Sequence, residues 1–209
     1  DNPYTTMSFD AEAQIVRELG KFVMNGGLFK GSKPVMWSPV EKTALAEAEI
    51  EYRDHTSTTI HVRFPVIAAS HDALSGASVV IWTTTPWTIP GNRAVAYGDA
   101  IDYAVVRVDE VAEGGLGVPG ETLIVARDLV ENLAAETGIS RHTIVANIVG
   151  ADLAGTVCRH PFHGQGYDFD VPLLPGDHVT AEDGTGFVHT APGHGAEDFV
   201  VGQAHGIEV

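Results

Sequence analysis

Thiols, cations and long apolar runs are all scarce in this sequence. Its one cysteine, Cys158, excludes an internal disulfide and any zinc site built from several thiolates, and fits a reducing cytoplasm. Lys and Arg number only 12 against 28 Asp and Glu, a net charge of −16. Broad nucleic-acid surfaces work by neutralising phosphates with Lys and Arg, so a large autonomous one is excluded; a nucleic-acid substrate held by something else is not. No apolar run approaches the roughly 18 residues of a membrane span, and no signal-peptide pattern opens the chain. Asp1-Asn2-Pro3 lacks an initiator methionine, so the sequence reads as a domain excised from a longer chain.

The residues that are present describe a globular protein. The 209 residues are 44% hydrophobic and 19% charged, enough for one sizeable core. Ile15, Val16, Leu19, Phe22 and Val23 fall at helical spacing, with Asp10 as the expected N-cap and Gly26-Gly27 as the stop. That stripe is expected to pack in the core. Lys30 to Pro39 is a short basic loop, solvated or touching a phosphate, and Thr43 to Glu49 reads as a short helix. Ile50 and Tyr52, then Ile60, Val62 and Phe64, alternate with polar residues and predict a hairpin. A turn at 71–76 leads into a strand carrying Val79 to Ile81; further strands are expected at 94–97, 103–108, 123–126 and 143–149, and a helix at 127–137 stopped by Gly138. Glu113 to Gly120 has four glycines but neither the strand-to-helix context of a dinucleotide fingerprint nor a P-loop lysine, so it reads as a flexible loop. Cys158-Arg159-His160-Pro161-Phe162-His163 lacks matching ligands elsewhere and reads as a packed turn, not a metal site.

Two stretches carry unusual chemistry. In Ile81-Trp82-Thr83-Thr84-Thr85-Pro86-Trp87-Thr88-Ile89-Pro90-Gly91-Asn92 a β-branched run meets hydroxyls, indoles and prolines. Pro86 removes a backbone donor, so a strand should break there. Beyond the break the chain forms either a stiff loop presenting polar groups to a pocket or a Pro-rich turn after an edge strand. In the second stretch, Asp183 to Phe199, glycines at 184, 186, 193 and 195 surround His189, His194, Glu197 and Asp198. Glycine permits positive φ and close approach of backbone to a ligand. Ala196 to Ala204 reads as a helix, and Asp198 in its first turn suits the helix dipole even without a further role.

Taken together, Thr83-Thr84-Thr85-Pro86-Trp87-Thr88 with Pro90 and Asn92, and Gly184-Thr185-Gly186 through His189-Thr190-Ala191-Pro192-Gly193-His194-Gly195 to Asp198-Phe199, resemble the editing (CP1) insertion of isoleucyl-tRNA synthetases. Lys33-Pro34-Val35, Trp37, Ala44 to Glu49 and Cys158 to Gly164 resemble other parts of the same insertion, so the similarity spans essentially the whole chain. Three departures stand out. Ser38-Pro39-Val40-Glu41 replaces a cysteine pair of many relatives, Gly91 stands where alanine is common, and neither synthetic signature motif of the parent enzymes occurs.

The resemblance implies an α+β fold: a mainly antiparallel, barrel-like sheet with helices near 10–25, 127–137 and 196–205, and both motifs on one rim. It implies one editing domain, with residues 1–48 as a leading helix and connecting segment and 49–209 as the barrel core. It implies hydrolysis of valine wrongly esterified to isoleucine tRNA, with valyl adenylate as a further substrate, and no amino-acid activation in this fragment. Thr85, Thr88 and Asn92 take the catalytic, water-orienting role. Thr83, Thr84, Trp87, Phe187, His189, Thr190 and Asp198 bind substrate, Asp198 taking the ammonium and His189 either shaping the pocket or acting as a base; Trp82 and Trp87 brace the loop. No metal and no cofactor are implied. The partners are the 3′ end of the tRNA and the rest of the synthetase, with a monomeric, cytoplasmic, non-membrane protein. Editing domains of valyl or leucyl enzymes, which usually carry Thr-Thr-Arg-Pro where this chain has Thr83-Thr84-Thr85-Pro86, and a non-catalytic tRNA-positioning insert are the competing readings.

Overall fold

A computed structural model describes residues 3–208 and divides into two units, Asp1–Lys33 and Pro34–Val209. Asp1-Asn2, on which the excised-domain reading drew, lies outside the described residues. In the first unit, α1 (Phe9–Met24) is capped by Ser8, slightly earlier than the expected Asp10 cap: Ala11 N–H donates to the Ser8 hydroxyl at 3.4 Å. Asp10 instead lies in the first turn, where the dipole favours it. The apolar stripe does not pack in a core as expected. No α1 residue is buried, and Ile15 and Phe22 are 62% and 57% exposed. The unit holds a single helix, and one helix alone offers nothing to cover its own stripe.

The second unit opens with a small ladder, β1 (Trp37–Ser38) on β2 (Thr43–Ala44), closed through Lys42 at φ 55°. The helix expected over 43–49 shrinks to the 3-10 turn Glu47–Glu49. The remaining strands are β3 (Ile60–Ala68), β4 (Ser78–Thr83), β5 (Ala94–Tyr97), β6 (Asp102–Val111), β7 (Thr122–Ala126), β8 (Ile139–Val149), β9 (Val157–Arg159), β10 (Asp170–Pro175) and β11 (Phe187–Thr190). They form one nine-stranded sheet in the order β11-β5-β10-β9-β3-β4-β7-β6-β8. All neighbours are antiparallel except β5 with β10 and β4 with β7. The hairpin expected from Ile50 is absent: residues 50–59 form no strand, and Tyr52, expected on the buried face, is 86% exposed. The turn expected within 158–163 is present from Pro161 onward, but Cys158 precedes it in β9; it pairs with Val171 and Val66 in mid-sheet, and burial pushes its thiol up to about 12, so it is an inert core residue.

The fold is α+β, and its sheet is open where a barrel-like closure was expected. Its end strands β11 and β8 do not pair. The sheet does fold back on itself, but it meets itself early. β11 lies against β4, Ala126 N–H at the end of β7 donates to Thr185 O at 2.8 Å, and the Tyr103 hydroxyl donates to Gly186 O at 2.7 Å. β8 therefore projects beyond this seam with a free edge. Gly186 is required there: at φ +75°, a Cβ would sit 2.3 Å from Ala126 Cβ. Phe64, Val79, Ile81, Tyr103, Val105 and Ile124, each fully buried, fill the core under the sheet. α2 (Val130–Thr137) is stopped by Gly138 in the left-handed region as the sequence predicts, and α3 (Ala196–Ala204) follows β11.

Candidate functional site

β4 ends at Thr83, and local hydrogen bonding explains how the chain leaves the sheet. The Thr83 hydroxyl accepts Thr85 N–H at 3.1 Å, turning the backbone. Pro86 then starts the 3-10 helix Pro86–Gly91, a position where its missing N–H costs nothing. Thr88 secures the turn through its hydroxyl, which donates to Thr85 O at 2.8 Å. The strand therefore breaks as expected, and the stiff segment after it is helical. β5 comes next, and β11 pairs with it in the register His189↔Val95 and Thr190↔Ala94. This pairing carries the second motif to the end of the first. Beyond β11 a turn through His194 leads to α3, whose N-cap Gly195 has no side chain to offer; Asp198 reaches back and accepts Ala191 N–H at 2.9 Å.

The two motifs enclose a cavity of about 200 Å³ lined by Trp82, Thr83, Thr85, Thr88, Val188, His189, His194 and Asp198. It is smaller than the roughly 300–1,000 Å³ of drug-sized sites and suits a small group. A larger cavity of about 610 Å³ lies on another face of α3, lined by Asp99, Pro175 to His178 and residues such as Glu197, Val200 and His205. Neither motif's threonines reach it, so size alone does not mark the site.

His189 is held from both ring nitrogens. Asn92 Nδ2 lies 2.8 Å from Ala94 O and 2.9 Å from His189 Nδ1. A carbonyl only accepts, so the Asn92 atom is the amide nitrogen, and His189 Nδ1 must accept from it. The ring proton then sits on Nε2 and points at Thr88 Oγ1, 2.9 Å away, whose own proton goes to Thr85 O. The result is one directed chain, Asn92 to His189 to Thr88 to Thr85, assigned from its partners. Burial, then His194 and His160, push His189 down to about 4, so it is neutral at pH 7. With Nδ1 occupied and Nε2 protonated, the imidazole has no lone pair for a water.

Asp198 supplies the cavity's carboxyl group. Burial raises its carboxyl above the usual range, against the Ala191 N–H and the nearby His178 and His194. Only its Oδ2 has a partner among the described residues. A desolvated carboxylate with an unused oxygen gains most from an incoming cation.

Not every expected site residue reaches this cavity. Thr83, Thr85, Thr88, His189 and Asp198 line it. Asn92 is fully buried, does not line the cavity, and hydrogen-bonds to His189, which does. Thr84 is exposed, and Trp87 is 71% exposed to solvent. Phe187 packs on Tyr103 in the core with ring centroids 4.5 Å apart, and Thr190 is fully buried. Trp82, read as a brace, forms a wall instead. His194 and Val188 line the cavity without having been assigned a role; their place within the second motif was the available signal. Gly91 lets the His194 ring pack close, since a Cβ there would lie 2.9 Å from His194 Cδ2. Gly184 to Gly186 forms the sheet seam, with the carbonyls of Thr185 and Gly186 used there. Among the described residues no group of three or more His, Cys, Asp or Glu side chains is placed to hold a metal, and no helix is long and apolar enough to cross a membrane.

Comparison with known proteins points the same way. Residues 1–188 match the family of tRNA synthetases class I (I, L, M and V). The chain is 57% identical over its full length to an isoleucine–tRNA ligase of Gluconobacter oxydans and 53% identical to that of Bradyrhizobium diazoefficiens, covering 22% and 21% of those proteins. It thus spans about a fifth of the length of these relatives. Among solved structures, the crystal structure of GlLeuRS-CP1 superposes with a TM-score of 0.54 at 16% identity, over 73% of this chain and 66% of that one. The editing domain of the Plasmodium knowlesi cytosolic leucyl-tRNA synthetase gives 0.50 at 14% identity, over 72% and 64%. At these identities the likeness is one of fold.

Proposed function

This chain belongs to the class I tRNA synthetases (I, L, M and V), and from that premise we propose that it hydrolyses valine wrongly esterified to isoleucine tRNA, with valyl adenylate as a second substrate. The observation that carries the reading is the convergence of a desolvated carboxylate, a locked neutral imidazole and threonine hydroxyls on one 200 Å³ cavity. The need for such a site is energetic. One methylene gives a binding pocket only about 1 to 3 kcal/mol of discrimination, a limit for which isoleucine against valine is the standard illustration, so a second, smaller pocket must remove the errors.

In this mechanism Asp198 binds the α-ammonium of the misattached residue. His189, held by Asn92 and Thr88, forms with Trp82 and Val188 the wall that leaves no room for the extra methyl of isoleucine. Water bound at the hydroxyls of Thr85 and Thr88 attacks the ester carbonyl carbon, and the C–O bond to the ribose breaks with the proton passing to the departing ribose oxygen. An aminoacyl ester is already activated relative to an amide, so this needs no nucleophilic serine. Since His189 has no free lone pair, the proton moves through the water or the adjacent ribose hydroxyl and not through the imidazole.

On this reading the partners are the tRNA 3′ end and the remainder of the synthetase, the chain works as a monomeric cytoplasmic module, and residues 1–48 lead into a working core of 49–209. The net charge of −16 speaks against a tRNA-positioning insert, because the chain offers little cationic surface for phosphate. The test is deacylation of isoleucine tRNA charged with valine or with isoleucine. Faster release of valine is expected; equal rates, or none with either at high protein concentration, would remove the reading.

A further inference from the structure

We propose that His160 is a positioning residue for the cavity, holding the Pro86–Gly91 turn at Ile89 and through it the Asn92–His189–Thr88 chain. The inference rests on the hydrolytic reading above and extends it to a residue outside both motifs. His160 follows β9, a strand flanked by β3 and β10 in mid-sheet, and is 1% exposed. Its ring stacks on Tyr167 at 4.9 Å and 14°, with Phe169 at 5.1 Å, Phe162 at 5.6 Å and Phe64 edge-on at 6.4 Å. An imidazole in so apolar a box must satisfy both nitrogens. Nδ1 accepts Phe162 N–H at 3.1 Å, which leaves the proton on Nε2 to donate to Ile89 O at 3.1 Å.

That acceptor lies at a sensitive point. Ile89 O also receives Asn92 N–H at 3.0 Å, the bond that closes the 3-10 turn, and Pro90 between them contributes no donor of its own. The turn is thus fixed at its end by one internal bond and one bond from the sheet. Arg93 strengthens the same attachment: its guanidinium lies 4.7 Å over the Phe169 ring and donates to Asn92 O at 2.7 Å. Asn92 is therefore held from behind by the His160 box while its side chain orients His189 in front. A displacement at Ile89 reaches Thr88 and Asn92 directly, and both ends of the His189 hydrogen-bond chain move with it.

The test compares three substitutions in this chain. Glutamine places its amide nitrogen near the position of Nε2 and keeps the donor to Ile89 O; asparagine reaches only the Nδ1 position and loses it; phenylalanine keeps the ring packing and loses both bonds. Relative to the unsubstituted chain, H160Q is expected to keep kcat for valyl-tRNA within about threefold, while H160N and H160F lose roughly tenfold to a hundredfold in kcat with KM nearly unchanged, the cost of a small misplacement near the chemistry. The ¹⁵N shifts of His189 should report one fixed Nε2–H tautomer in the unsubstituted chain and in H160Q, and a mixture in H160N and H160F. Equal losses in all three variants, or losses that merely track the folded fraction measured by circular dichroism, would show a packing role only and overturn the proposal. So would unchanged His189 shifts in folded H160N. If the unsubstituted chain hydrolyses nothing, the hydrolytic reading fails, while the His189 shifts still decide the positioning role.

Discussion

Replacing Asn92 with alanine removes the amide that gives His189 its direction, and the structure sets the size of the effect. The amide nitrogen donates to Ala94 O at 2.8 Å and to His189 Nδ1 at 2.9 Å, with the residue fully buried. Losing it leaves two buried acceptors without partners, at about 1–3 kcal/mol each. Part of that cost is returned, because Asn92 Oδ1 is itself buried without a partner and its removal relieves a desolvation penalty of similar size. The net expectation is a loss of about 1–3 kcal/mol in unfolding free energy, measured by urea denaturation. The second readout is His189 itself. With Nδ1 released, the ring is no longer held to one tautomer, so its ¹⁵N shifts should show both tautomers. An N92A chain within about 0.5 kcal/mol of the original, with His189 still a single Nε2–H tautomer, would refute the directed chain of hydrogen bonds.

The same geometry makes three further predictions. Asp198→Asn should lower valyl-tRNA hydrolysis by about a hundredfold through loss of the charge that meets the ammonium. It should leave the thermal midpoint unchanged or higher, since the amide oxygen still accepts Ala191 N–H and no charge is desolvated; a variant of full activity would remove Asp198 from substrate binding. Stability should depend on His189 between pH 6.5 and 4: its folded value is depressed, so the unfolded chain takes up the proton first and the contribution, about 3 kcal/mol in all, is present above 6.5 and lost as pH falls to 4. Asp198, whose value is raised, acts in the opposite sense and favours the fold in acid; His61 and His160, whose values are also depressed, act in the same sense as His189, so urea midpoints flat from pH 7 to 4 in the D198N chain would contradict the assignment. Gly186→Ala should cost about 2–5 kcal/mol, from a left-handed backbone and a Cβ 2.3 Å from Ala126 Cβ, and a denaturation midpoint close to the original would show that the seam can yield.

How much of this was legible in the sequence depends on the range of the interaction concerned. Pro86 and the threonines around it predict a broken strand because their effects are local, and the break lies where expected, with a 3-10 helix in place of an irregular loop. Gly138 stops α2 for the same kind of reason. Alternation at Ile50 and Tyr52 misled because a strand is stabilised by burying one face, and this segment buries none: Tyr52 is 86% exposed. The α1 stripe misled in the other direction: periodicity identifies an amphipathic helix but not what covers it. In the site, the family resemblance marked Thr85, Thr88, His189 and Asp198, but not that Asn92 lies behind the cavity wall or that Phe187 belongs to the core. Those facts come from sheet register, which connects residues too distant in sequence for any local pattern to reveal.

The pairing of β11 with β5 also governs when the cavity comes into being. The Thr88–His189 bond joins residues 101 apart, and the Asn92–His189 bond residues 97 apart, so each closes a loop of nearly half the chain. Such contacts form slowly, because the loop must close before the bonds reward it. During synthesis β4 and the Pro86–Gly91 turn emerge long before their partner strand, leaving the threonine motif with half its walls until β11 has left the ribosome. The site is therefore a product of late folding, and a chain halted before residue 187 would carry every threonine of the first motif and no cavity at all.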